Sequence, residues 1–220
     1  MSDSKALEHL RNLVYDGKFF EWYTMKAKDI GYEAAEEFKE ANKYLLEALS
    51  IETDQLTLMA EIAKIEADKN LIWTNEKCEA EKYLASVRKV VGQQKGRFAW
   101  CGAFVYWCCT QAKISVPAVF PTGFTAAYVP GWEAWARKNE MWYSSRLKAH
   151  EFNPKAGDIV IFDWDSDAIP DHIGIVLSYD GKRTLTTAEG NTSAKSNSNG
   201  NATAVRTRDW KFCKGFIRLV

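Results

Sequence analysis

Proline is missing from the first 116 residues of this 220-residue chain, and all five prolines fall at or after Pro117. A proline-free N-terminal half tolerates long, uninterrupted helices. No stretch approaches the roughly 18 consecutive apolar residues that a membrane-spanning helix needs, so no transmembrane segment is expected. The opening residues, Met1-Ser2-Asp3-Ser4-Lys5, lead into an amphipathic stretch rather than a short apolar one. No secretory signal peptide is therefore expected, and the chain reads as made in the cytoplasm. Cysteine is scarce and odd in number: Cys78, Cys101, Cys108, Cys109 and Cys213. With no signal peptide, that count argues against a disulfide framework. No CxxC pair occurs, and histidine is confined to His9, His150 and His172. A structural zinc site lacks its usual close ligand spacing.

Net charge is also missing, since 29 Lys+Arg balance 29 Asp+Glu. The zero conceals an asymmetry. Residues 1–80 carry 10 basic and 17 acidic side chains, and residues 81–220 carry 19 basic and 12 acidic. Either this is scattered solvated charge, or it marks two units, the basic one suited to an anionic polymer. Hydrophobic residues make up 46% and charged residues 26%, so a packed globular core is expected rather than disorder.

The first 72 residues read as a helical N-terminal segment, a hairpin or small bundle. Leu7, Leu10, Leu13 and Val14 recur at helical spacing, and Leu56, Leu58, Met59, Ile62 and Ile65 supply a later apolar face. Residues 73–220 read as a second unit. A helix is expected over about 75–91. A second, from Trp100 to Ala112, is apolar all round and hence buried. Pro117, Pro121, Gly123, Pro130 and Gly131 punctuate a loop region. Short strands are expected over Asp158–Phe162, His172–Ser178, Arg183–Glu189, Ala204–Thr207 and Gly215–Val220. Helices first and clustered strands later imply an α+β fold with an antiparallel sheet.

Three places in this order carry chemistry. Cys101 opens the buried helix, where the positive end of the helix dipole favours a thiolate. Gly102 beside it lets a substrate carbonyl approach the backbone. The competing reading of Cys101 is a small buried hydrophobe, and Cys108 and Cys109, deeper in the same helix, take that reading. His172 opens a strand, where a base is held rigidly. Glu189 and Asn191, two apart at a strand end, share a face. Either could bond the second ring nitrogen of His172 and fix its tautomer. Trp132, Trp135, Trp142, Tyr143 and Trp164 crowd the stretch between Cys101 and His172. Most read as core, and some as lining for a groove. Asp163, Asp165, Asp167 and Asp171 hold part of a calcium-loop pattern. Ala168 stands where that loop needs glycine and Gly174 where it needs glutamate. The loop reads as solvated acidic surface, and no metal or other cofactor is expected.

Four segments in sequence carry a resemblance: Trp100-Cys101-Gly102-Ala103-Phe104-Val105, Pro154-Lys155-Ala156-Gly157-Asp158-Ile159-Val160-Ile161-Phe162, Asp171-His172-Ile173-Gly174-Ile175-Val176, and Glu189-Gly190-Asn191. From about Cys78 to Val220 the chain resembles the CHAP domains, the cysteine, histidine-dependent amidohydrolases/peptidases. The resemblance implies a papain-like α+β fold, with a cysteine-bearing helix packed on an antiparallel sheet that carries the histidine. It implies hydrolysis of amide bonds in peptidoglycan, with Cys101 as nucleophile, His172 as base and Glu189 or Asn191 as orienter. Trp100, Gly102 and Trp164 are the residues expected to meet substrate. Without a signal peptide, such a hydrolase reaches the wall as a phage endolysin or as an injected antibacterial effector. An immunity protein or a delivery machine would be the partner of an injected form. No nucleic-acid partner is implied. Two other functions compete: a cytoplasmic amidase acting on a soluble peptide conjugate, and a non-catalytic wall-binding module.

Overall fold

A computed structural model describes residues 54–74, 76–91, 98–146, 152–193 and 200–219. Residues 1–53, and with them most of the expected N-terminal hairpin or bundle, lie outside the described residues, as do His9 and His150. In chain order the elements are α1 (Gln55–Asp68), α2 (Glu81–Val91), α3 (Cys101–Gln111) and α4 (Val129–Lys138). The strands are β1 (Trp142–Ser144), β2 (Ile159–Phe162), β3 (His172–Tyr179), β4 (Thr184–Thr192), β5 (Ala202–Asp209) and β6 (Cys213–Ile217). A 3-10 turn over Trp210–Phe212 links β5 to β6. The strands form one sheet in the order β1-β6-β2-β3-β4-β5, and every neighbouring pair is antiparallel. The fold is therefore a mixture of helix and antiparallel sheet, as the order of sequence patterns implied.

β2 is the sequence Ile-Val-Ile-Phe, and all four residues are buried. A strand with no polar alternation needs cover on both faces. One face gathers Val160 and Phe162 with Phe152, Val176, Leu185, Cys213 and Phe216, and is closed by partly buried rings of Tyr143, Trp164, Tyr179, Trp210 and Phe212. By the period-two alternation of strands, Ile159, Ile161, Ile173 and Ile175 point to the other face. There α1 and α3 pack on β3 and β4.

α3 is buried along most of its surface, at Cys101 to Val105 and at Cys108 and Cys109. It lies against β3, β4, α1 and α2. α1 turns Met59, Ile62, Ala63, Glu66 and Ala67 inward, the i, i+3, i+4, i+7, i+8 stripe of a one-faced helix. Because α1 packs on β3, β4, β5 and α3, the compact unit holding the sheet spans Gln55–Val220. Reading from sequence draws a boundary at 72/73 between the helical segment and the second unit.

α4 is an element the sequence reading treats as loop. Its Pro130 and Gly131 resemble turn punctuation, yet proline is compatible with a first helical turn, where its missing N–H is not needed. α4 buries Trp132 and Trp135, and Trp132 Nε1 donates to Ala126 O at 2.7 Å. The second helix begins at Glu81, later than expected. Among the described residues, no helix is long and apolar enough to cross a membrane.

Candidate active site

Cys101 is the first residue of α3, with Trp100 as a cap that offers no side-chain hydrogen bond. The thiol thus sits at the end of the helix where backbone N–H groups lack intrahelical acceptors. His172 is the first residue of β3 and lies opposite Phe162 of β2. Its ring stands 6.1 Å from that of Phe162 and 6.0 Å from that of Trp164. Nε2 lies 3.0 Å from Glu189 Oε2. Nδ1 is buried and makes no hydrogen bond, and Cys101 is the group that acts on the imidazole besides Glu189. His172 therefore has Cys101 and Glu189 as neighbours, and the three come from separate elements.

Glu189 reaches the ring because of a glycine. Ile175 pairs with Ala188, which sets Gly174 across from Glu189. A Cβ at Gly174 would come within 2.8 Å of Glu189 Cγ. Asn191, the other candidate orienter, makes no hydrogen bond to the imidazole. The β4–β5 register shifts between Glu189 and Thr192, and Asn191 adopts φ 53°. The bulge breaks the alternation that would have put both side chains on one face.

The carboxylate is held by more than the histidine. Arg208 Nε donates to Oε1 at 2.7 Å, Arg208 Nη2 donates to Oε2, and Thr187 Oγ1 donates to Oε1 at 2.6 Å. Glu189 is fully buried, and Arg208 and His172 are each 2% exposed. Burial alone would raise the carboxyl pKa. The Arg208 hydrogen bonds and the His172 charge outweigh it and hold Glu189 well below the usual carboxylate range. For His172, burial disfavours the imidazolium, but Cys101 and then Glu189 outweigh it and push the pKa up to about 9. Burial drives the Cys108, Cys109 and Cys213 thiols up, so they stay protonated.

Two of the expected substrate contacts sit in packed surroundings. Trp100 is buried and stacks on Tyr83 at 5.8 Å, so its ring packs in the core. At Gly102 a Cβ would meet Ala126 O at 2.4 Å and Ala127 O at 2.8 Å. The close backbone approach at this glycine comes from the chain's own 126–127 segment. Trp164 is partly buried, stacks on Phe162 at 4.8 Å and stands beside the imidazole. Arg208 and Thr187 were not found from sequence. The β5 string Ala-Thr-Ala-Val-Arg-Thr-Arg-Asp alternates, but only the sheet shows which face of it is inward.

Carboxylate oxygens of Asp163, Asp165 and Asp171 lie within 4.8 Å of one another. Each residue accepts from the backbone of its own loop: Asp163 from Ala168 N, Asp165 from Asp167 N and Asp171 from Trp164 N. These bonds shape the β2–β3 connection that leads into His172.

A cysteine at a helix start, facing a histidine on an antiparallel sheet, defines a class of mixed helix–sheet proteins with a paired thiol and imidazole. Residues 93–191 match the family model of the CHAP domain, and this segment is a CHAP domain. CHAP domains are in general cysteine/histidine amidohydrolases. No curated protein and no solved structure matches the chain.

Proposed function

We propose that this protein is a peptidoglycan hydrolase that cuts an amide bond, as an N-acetylmuramoyl-L-alanine amidase or a peptidoglycan endopeptidase. Cys101 is the nucleophile, His172 the base and Glu189 the orienter. The observation that carries this reading is the imidazole held by Glu189 through Nε2, with Nδ1 left for Cys101. The Nε2–H donates to the carboxylate, and this selects the tautomer whose Nδ1 lone pair can take the thiol proton. The thiolate attacks the amide carbonyl, and backbone N–H groups at the start of α3 face the developing oxyanion. Nδ1–H then protonates the leaving amine, and water, deprotonated by the same nitrogen, releases the acyl group. The protein acts on the wall after release as a phage endolysin or after injection as an antibacterial effector.

The test is digestion of purified sacculi by the wild type and by Cys101→Ala, with mass spectrometry of the soluble fragments. Fragments from the wild type alone support the reading, and their new termini name the bond. Fragments from neither, or from both equally, overturn it.

A further inference from the structure

We propose that Arg208 is a positioning residue of this site, its guanidinium fixing both oxygens of Glu189 and balancing the charge of the buried Cys101–His172–Glu189 row. The proposal rests on the reading of Cys101 and His172 as the reacting pair. It adds a residue from β5 that lies outside the matched segment 93–191.

The geometry is specific. Two guanidinium nitrogens take the two carboxylate oxygens, a paired arrangement that fixes the carboxylate plane as a single contact cannot. Oε2 is shared between Arg208 and His172 Nε2, so whatever orients the guanidinium also orients the imidazole. Arg208 is itself confined. Nη2 donates to Thr192 Oγ1 at 3.1 Å, and the guanidinium lies 4.9 Å from the Trp164 ring and 5.6 Å from that of Phe162. Those two rings also border His172.

The charges are as informative as the distances. With thiolate and imidazolium formed, the row holds Cys101 and Glu189 as anions and His172 and Arg208 as cations. The four sum to zero among buried side chains, where an uncompensated charge is expensive. The other ionisable groups facing the row alter this little. Cys213 of β6 stays a neutral thiol. Arg206 of β5 is partly exposed, so solvent screens it. Thr187 and Thr192 of β4 are neutral. Removing the arginine charge makes every proton in the row harder to remove, and removing the glutamate charge does the reverse.

A titration of the His172 ring by long-range 1H–15N NMR tests this, and only two other histidines share the spectrum. In the full chain, Arg208→Gln is expected to raise the His172 midpoint by about one unit or more, while Arg208→Lys keeps it within about half a unit. A strut that merely ties β4 to β5 would lower the melting temperature and leave the midpoint in place. That result overturns the proposal. Should Arg208→Gln not fold, the same sign is read between Glu189→Gln and Glu189→Gln/Arg208→Gln, the double variant titrating at higher pH. Equal midpoints there overturn it as well. Cys101→Ala serves as the separate control. If it fails to lower the wild-type midpoint, the thiol–imidazole pairing is what fails, whatever Arg208 does.

Discussion

Glu189 Oε2 lies 3.0 Å from His172 Nε2, while Asn191, two residues on, makes no hydrogen bond to that ring. Glu189→Gln is expected to cut hydrolysis of dye-labelled sacculi by on the order of 10²- to 10⁴-fold, because an amide neither stabilises the imidazolium nor selects its tautomer. Asn191→Gly removes the side chain while keeping the left-handed backbone and is expected to stay within a few-fold of wild type. A larger loss in the glycine variant than in the glutamine variant would reverse the assignment.

The thiol and imidazole must hold one proton between them to pass to the leaving amine, so kcat/KM is expected to fall on the alkaline side with a midpoint near pH 9. Stability follows the same proton. A folded-state pKa raised from 6.5 to about 9 means the stabilisation is complete below pH 6.5 and disappears as pH rises through about 9. Melting temperatures taken from pH 6 to 10 should therefore decline over that window. In Cys101→Ala the decline should begin at lower pH, since the neighbour whose interaction raises the imidazole is gone. Identical curves for the two proteins would contradict the pairing.

Gly174→Ala and Gly102→Ala are expected to fail differently. At Gly174 the added methyl meets the Glu189 side chain at 2.8 Å, so the carboxylate is displaced and activity drops by about tenfold or more in a folded protein. At Gly102 it meets backbone carbonyls that cannot rotate away, so the cost is stability, about 1–3 kcal/mol of overpacking. Denaturant midpoints and activity measured side by side separate the two outcomes.

The two tryptophans near the site should also separate. Trp100→Ala removes a fully buried ring stacked on Tyr83 and is expected to cost about 3–5 kcal/mol in chemical denaturation. Trp164→Ala, at a partly buried position, is expected to fold and to lower turnover, because the ring bordering both His172 and Arg208 is lost. A stable, inactive Trp100→Ala would restore the substrate-contact reading of that residue.

Five of the six strands and the cysteine helix were legible in the chain itself, while β1 (Trp142–Ser144) was not. Ile159–Phe162 and Cys101–Gln111 are apolar runs whose lengths separate a buried strand from a buried helix. Local pattern also marked Cys101 and His172, since each opens an element, and it left Glu189 and Asn191 as alternatives. α4 was not legible, because Pro130 and Gly131 carry the same local signal in a turn and in a first helical turn.

What only the tertiary structure decided concerns neighbours. The choice of Glu189 over Asn191 depends on a bulge that shifts β4 against β5, and a bulge is a property of two strands. The roles of Trp100 and Gly102 depend on Tyr83 and on the 126–127 carbonyls, which come from other parts of the chain. Arg208 meets Glu189 across a strand pair from 19 residues away. Periodicity reports which side of an element is apolar. It holds no information about which distant side chain will lie across from a given carboxylate, and that pairing, set by sheet order and register, assembles the site.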